Sequence, residues 1–384
     1  MTAKQRLRTA LEGGVPDRLP VTTHHVMPSF LHDCLDGISN MEFFRRFGLD
    51  PIVWINALEA NRPRKEEVDG SFSPGYLEPK RIVSENWRVS AENLPDSRYA
   101  STRWSIRTPK GALTMVLQSD RHTTWVSERF IKKKGDIDII AEYATRPLCD
   151  VRTVNEQAAD AGDSALIRGF VPGFDVYGQP GCWQDAAVLF GIEELIIAAF
   201  EDPQWVHALL GMLMERKRSF IESTRGADYD VLELGGGDAS STVISPAIFD
   251  DFVAPYDAQL IEAAHAAGQK IVYHTCGGMM PILESLAALN PDALETFTPE
   301  SMGGDAELAE AKRRIGDRVC MIGGFDQFHY FVNCSPSATR AEVRRCFREA
   351  GEGGGYILAP SDHFFEADPE LIRAFAEEAA ACRY

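Results

Sequence analysis

Short apolar runs recur through the second half of the chain, and an amphipathic stretch follows each one. Runs at 165–171, 231–234, 271–276, 293–297, 319–324 and 356–359 have the length and apolar content of buried strands. The stretches at 182–200, 202–225, 249–267, 281–289, 306–315, 337–349 and 369–381 show helical spacing, several of them closed by glycine. Two earlier runs, 19–23 and 52–55, add two strands, with helices predicted at 3–13, 39–48 and 136–146. Eight strands, most of them trailed by a helix, predict a (β/α)8 TIM barrel formed by one domain over 1–384. A doubly wound open sheet is the competing architecture, but no G-x-G-x-x-G follows an early strand. Over 65–130 the pattern instead alternates polar and apolar residues, with Pro109-Lys110-Gly111 as a hairpin turn. This segment is expected to be an antiparallel β insertion covering one end of the barrel.

The central run ends in His274-Thr275-Cys276-Gly277-Gly278. On a strand, His274 and Cys276 would face the same side, as half of a zinc site. The competing reading is a buried cysteine beside a hydrogen-bonded histidine. In a barrel the C-terminal strand ends surround one cavity, so polar residues there are candidates for chemistry. They are His24, Asn56, Asp175 with Tyr177, Asp238, His274 with Cys276, Glu295, Asp326, and Asp362 with His363. The metal candidates are His274, Cys276, Glu295, Asp362 and His363, with a helix cap as the other reading of Asp362 and His363. His24, Asn56 and Asp175 are candidates for substrate binding. Asp238, Asp326 and Tyr177 are candidates for proton transfer or substrate orientation. His25 follows His24 directly, and strand alternation argues against both being ligands.

The formal net charge of −18 argues against nucleic acid and anionic membranes as partners. No apolar run is long enough to span a bilayer. Eight cysteines without a framework spacing, and no leader-like apolar segment, point to a reducing, cytoplasmic setting.

Pro16-Asp17-Arg18-Leu19-Pro20, Ile322-Gly323-Gly324-Phe325-Asp326 and Gly354-Gly355-Tyr356-Ile357-Leu358-Ala359-Pro360, together with the His274–Gly277 motif, resemble the uroporphyrinogen decarboxylase-like superfamily of β/α barrels. The likeness is closest to its zinc- and corrinoid-dependent methyltransferase branch. Two departures shape what the resemblance implies. Porphyrin decarboxylases carry an arginine-rich segment after the first strand, whereas Thr23-His24-His25-Val26-Met27-Pro28 has no arginine. The methyltransferases place a further cysteine after the last strand, where this chain has Ser361-Asp362-His363. The resemblance therefore implies zinc-dependent methyl transfer between a small methoxy, amine or thiol compound and a corrinoid. With no D-x-H-x-x-G motif in the chain, the corrinoid is expected on a partner protein. A homodimer fits the family. The alternatives are a lyase or metal-assisted hydrolase on a small carboxylated substrate, and a ligand-binding barrel without catalysis.

Overall fold

The computed structural model describes residues 1–69, 81–95 and 98–384. A parallel sheet of seven strands runs in chain order: β1 (Ile52–Trp54), β2 (Leu166–Phe170), β3 (Val231–Gly235), β4 (Ile271–His274), β5 (Ala293–Thr296), β6 (Cys320–Phe325) and β7 (Tyr356–Pro360). Each pairs with the next, and helices pack outside. Every residue of β3, β6 and β7 is buried, as expected for strands covered on both faces. The sheet curls into a TIM-like barrel.

The two edges of the sheet are bridged by residues 20–22. Leu358 N–H donates to Pro20 O at 2.9 Å, and Thr22 N–H donates to Leu358 O at 3.0 Å. On the other side, Asp50 N–H donates to Val21 O at 2.7 Å, just before β1. The predicted strand at 19–23 is thus a short bridge rather than a regular strand, although it stands where an eighth stave belongs.

Local sequence sets many boundaries. The helix Asn40–Phe47 starts at Ser39, whose hydroxyl accepts from Glu42 N–H, and ends at Gly48 in the left-handed region. The predicted helix at 182–200 is two helices, Cys182–Phe190 and Ile192–Glu201. They are broken at Gly191, whose φ of 112° no helix accommodates. On β6, Gly323 has φ of 118°, and a β-carbon there would lie 2.0 Å from Thr296 O. Only glycine lets β6 run this close to β5.

Four strands, Arg88–Leu94, Ala100–Thr108, Gly111–Ser119 and Thr124–Glu128, form an antiparallel sheet. Thr108 pairs with Gly111, leaving Pro109 and Lys110 as the turn. Part of the 65–130 segment, at 70–80, 96 and 97, lies outside the described residues. The start of the fourth strand and the turn before it reach three separate parts of the chain. Arg121 Nη2 lies 2.6 Å from Asp33 Oδ2, the His122 ring packs on Phe365 with centroids 5.1 Å apart, and Tyr177 Oη donates to Thr124 O at 2.6 Å. Among the described residues, no helix is long and apolar enough to cross a membrane.

Candidate functional site

The barrel interior carries a buried charge layer. Its centre is Arg168, the one charged residue of β2. Arg168 donates to Glu295 on β5 through Nη1 at 2.9 Å and Nη2 at 2.5 Å, and to Glu233 on β3 through Nη2 at 2.6 Å. Its guanidinium also lies 4.6 Å from the centroid of the Trp54 ring. Burial alone would push both carboxylates up, but Arg168 and His24 hold Glu233 and Glu295 below the ordinary range.

Imidazoles stand on this layer. His274 is the register partner of Glu295, so both side chains leave adjacent strands at one level, with Nδ1 and Oε1 2.8 Å apart. His24, just beyond the bridging stave, places Nε2 2.8 Å from Glu233 Oε2 and 3.3 Å from Glu295 Oε1. Burial opposes the charged form of His24, but the two carboxylates outweigh it and raise its pKa. Burial likewise opposes charge on His274, yet contacts with Cys276 and Glu295 raise its pKa well above the ordinary value.

A second imidazole group overlaps the first. His25 Nε2 and His363 Nε2 are 2.9 Å apart, and the ring centroids of His24 and His25 are 4.4 Å apart. Asp362 Oδ1 lies 2.9 Å from His363 Nδ1. Burial, aided by His24 and His363, keeps His25 well below its ordinary pKa and therefore neutral. A cavity inside the barrel is lined by His24, Arg168, His274, Glu295, Asp362 and His363. Two donor groups here could hold a metal ion: His24 with His25 and His363, and His24 with Glu233, His274 and Glu295.

The geometry stands on a recognisable chain. The family model described as Uroporphyrinogen decarboxylase (URO-D) matches residues 178–382. The chain belongs to the URO-D family. It is 28% identical over 186 residues to a uroporphyrinogen decarboxylase of Pseudomonas putida, a match covering 46% of this chain and 48% of that protein. A uroporphyrinogen decarboxylase of Neisseria meningitidis serogroup C is 27% identical over 184 residues, covering 46% and 49%. The chain thus spans about half the length of the curated relatives it matches. Among solved structures, a methyltransferase from Methanosarcina mazei superposes with a TM-score of 0.64 at 15% identity, over 99% of this chain and 98% of that one. That likeness concerns the fold.

Within this URO-D barrel the sequence-predicted site residues divide. His24, His274, Glu295, Asp362 and His363 converge on the cavity. Cys276 falls outside both donor groups, because β4 ends at His274 and the alternation that would align the pair stops there. Its thiol touches His274 and packs against Gly237, where a β-carbon would lie 2.5 Å from Sγ.

The remaining candidates do not line the cavity. Asp175 is buried against Arg216 and accepts from Trp87 Nε1 at 2.6 Å. Tyr177 is tied to Thr124 O. Asp326 caps the short helix Gln327–Tyr330, accepting from His329 N–H at 3.0 Å and from the Ser301 hydroxyl at 2.5 Å. Asp238 accepts from Gln184 Nε2 at 2.8 Å, and burial raises its pKa. Asn56 is half-buried, its Oδ1 without a hydrogen-bond partner among the described residues.

Sequence reasoning missed Glu233 and Arg168, and it set His25 aside. A charge in the middle of an apolar run was the available signal for the first two.

Proposed function

We propose that this URO-D family member is a zinc-dependent methyltransferase, moving a methyl group between a small substrate and a corrinoid carried by a partner protein. The observation carrying this reading is the pair of overlapping donor groups that meet at His24 in the barrel cavity. Their nitrogen and oxygen donors are of the type zinc takes, and His24 Nδ1 is a buried nitrogen with no hydrogen-bond partner among the described residues. His24, His25 and His363, or His24 with Glu233, His274 and Glu295, would hold the ion. Bound zinc supplies Lewis acidity at the substrate heteroatom.

The chain's own residues do the rest. Arg168 neutralises and fixes Glu233 and Glu295. Glu233 accepts from His24 and so sets its tautomer and ring orientation, while Glu295 does the same for His274. The antiparallel sheet, through Arg121, His122 and Thr124, is read as the cover that keeps water from the mouth.

A porphyrin substrate fits poorly. Its carboxylates need free cations, and Arg168, the arginine on the cavity wall, is already engaged by two glutamates. A second reading, a lyase on a small carboxylated substrate, draws on Asp238, which lies outside this cavity beside Gln184 and whose pKa burial raises. The test is transfer of methyl to cob(I)alamin by the purified protein, followed by the absorbance change of the corrinoid, alongside an assay for released carbon dioxide. Cobalamin methylation supports the first reading. Carbon dioxide release without methylation replaces it with the second.

A further inference from the structure

We propose that the divalent ion is held by three imidazoles, His24, His25 and His363, without the Cys276 thiolate, and that the methyl group is taken from an oxygen atom of the substrate. The ligand assignment stands on the geometry; the substrate class rests on the methyl-transfer reading above.

Two of the three rings have a carboxylate behind them. Glu233 Oε2 is hydrogen-bonded to His24 Nε2 at 2.8 Å, while Asp362 Oδ1, which accepts from the His363 backbone N–H, lies 2.9 Å from His363 Nδ1 as an ion-pair contact without hydrogen-bond geometry. His24 Nδ1 has no hydrogen-bond partner among the described residues, and His363 Nε2 meets the Nε2 of His25. A carboxylate behind a histidine is the arrangement that orients metal-binding imidazoles. His25 Nε2 faces His363 Nε2 at 2.9 Å, so these donors converge.

The overlapping group is less suited to a cation. Both of its carboxylates already contact Arg168, and a divalent ion there would stand beside a guanidinium. The histidine triad has no fixed cation among its own members. Cys276 lies beyond the end of β4, with its sulfur against Gly237.

The donor set bears on the substrate. Three neutral imidazoles leave the full double charge on the ion, whereas thiolates would neutralise part of it. A harder site of this kind favours an oxygen ligand over sulfur. A methyl ether would then react with a reduced, cobalt(I) corrinoid. The cobalt electron pair would form the new carbon–cobalt bond, the carbon–oxygen pair would stay on oxygen, and that oxygen would take a proton from water to leave as an alcohol or phenol.

The experiment uses the full chain loaded with zinc(II) or cobalt(II). Wild type is expected to bind one ion per chain, and its cobalt(II) spectrum to lack a thiolate-to-cobalt charge-transfer band. Cys276→Ala should leave metal content and spectrum unchanged. His25→Ala and His363→Ala should bind zinc roughly 100-fold more weakly or worse. A thiolate band in wild type that vanishes in Cys276→Ala overturns the ligand set, as does failure of folded wild type to bind either ion. The wild-type spectrum needs no substitution, so a variant that misfolds leaves the decision intact. Methyl ethers, methylamines and methyl thioethers are then compared as donors to cob(I)alamin. Preference for the ether is expected, and preference for the thioether or amine overturns the substrate class. Zinc on the histidines with no transfer from any donor overturns the methyl-transfer reading and its substrate class together, while leaving the ligand set standing.

Discussion

Arg168 and Glu295 join across the barrel interior, from β2 to β5, through two parallel hydrogen bonds of 2.9 and 2.5 Å. The strands are not neighbours in the sheet, so the bond spans the lumen rather than running along its wall. Both side chains are buried, and Glu233 shares the guanidinium. Replacing Arg168 by Met would leave two carboxylates buried without their cation. Breaking a buried pair from one side costs about 3–5 kcal/mol. Urea unfolding of Arg168→Met should show a loss of that size, and a loss below about 1 kcal/mol would show that the layer does not depend on its arginine.

Asp50 performs the comparable task at the seam of the barrel. Its Oδ1 takes Arg6 Nη1 at 2.6 Å and Arg18 Nη2 at 2.9 Å, and its Oδ2 takes Val21 N–H at 3.0 Å. The short stave that delivers His24 and His25 is therefore anchored by one carboxylate. In Asp50→Ala, amide exchange should accelerate at Val21 and Thr22 before it changes at β3 or β4, and zinc affinity should fall although the site lies beyond the end of this stave. Unchanged exchange at Val21 would mean that the bonds to β7 suffice to hold the stave.

Asp17 gives a pH dependence whose sign can be worked out. The hydrogen bond from Arg6, with the N-terminal ammonium, holds its carboxyl well below the ordinary value of 3.8. A folded pKa below the unfolded one adds stability above the unfolded value, and that stability is lost as pH falls through it toward the folded value. Wild type should therefore lose stability on acidification below about pH 4 more steeply than Asp17→Asn. The carboxylate is 40% exposed, so solvent screening keeps the difference under about 1 kcal/mol. Parallel slopes for the two proteins in acid-titrated urea melts would remove Arg6–Asp17 from the stability of the N-terminal helix.

Much of the barrel was legible in the sequence because parallel strands buried on both faces read as apolar runs, and their helices as amphipathic ones. The final helix, Pro369–Ala381, has the predicted bounds. His274 and Glu295 were found because they end adjacent strands. Arg168 and Glu233 were missed because each sits in the middle of an apolar strand rather than at its end. A charge inside an apolar strand faces either the helix layer or the lumen, and here both face the lumen. His25 was set aside by strand alternation, but the stave pairs regularly only around Val21 and bends at His24, so the rule lapses where it was applied. At Cys276 the same alternation was extended past His274, where β4 ends. Asp175 and Asp326 occupy functional-looking positions yet are taken up by Arg216 and by a helix cap, partners that spacing along the chain does not reveal.

Metal removal should destabilise the protein in a way that reports on the histidine triad. An ion that binds the folded chain alone adds stability as the logarithm of its concentration over its dissociation constant, about 2.7 kcal/mol at a hundredfold excess. Zinc-loaded wild type should unfold at a higher urea concentration than the chelated form, by an amount that grows with free zinc. Chelator should leave the unfolding midpoint of His363→Ala unmoved, because that variant lacks one donor and the ring that faces His25. The charge layer beneath is predicted to behave differently: Arg168→Met lowers the midpoint with and without chelator. Equal sensitivity of His363→Ala and wild type to chelation would place the ion elsewhere in the barrel.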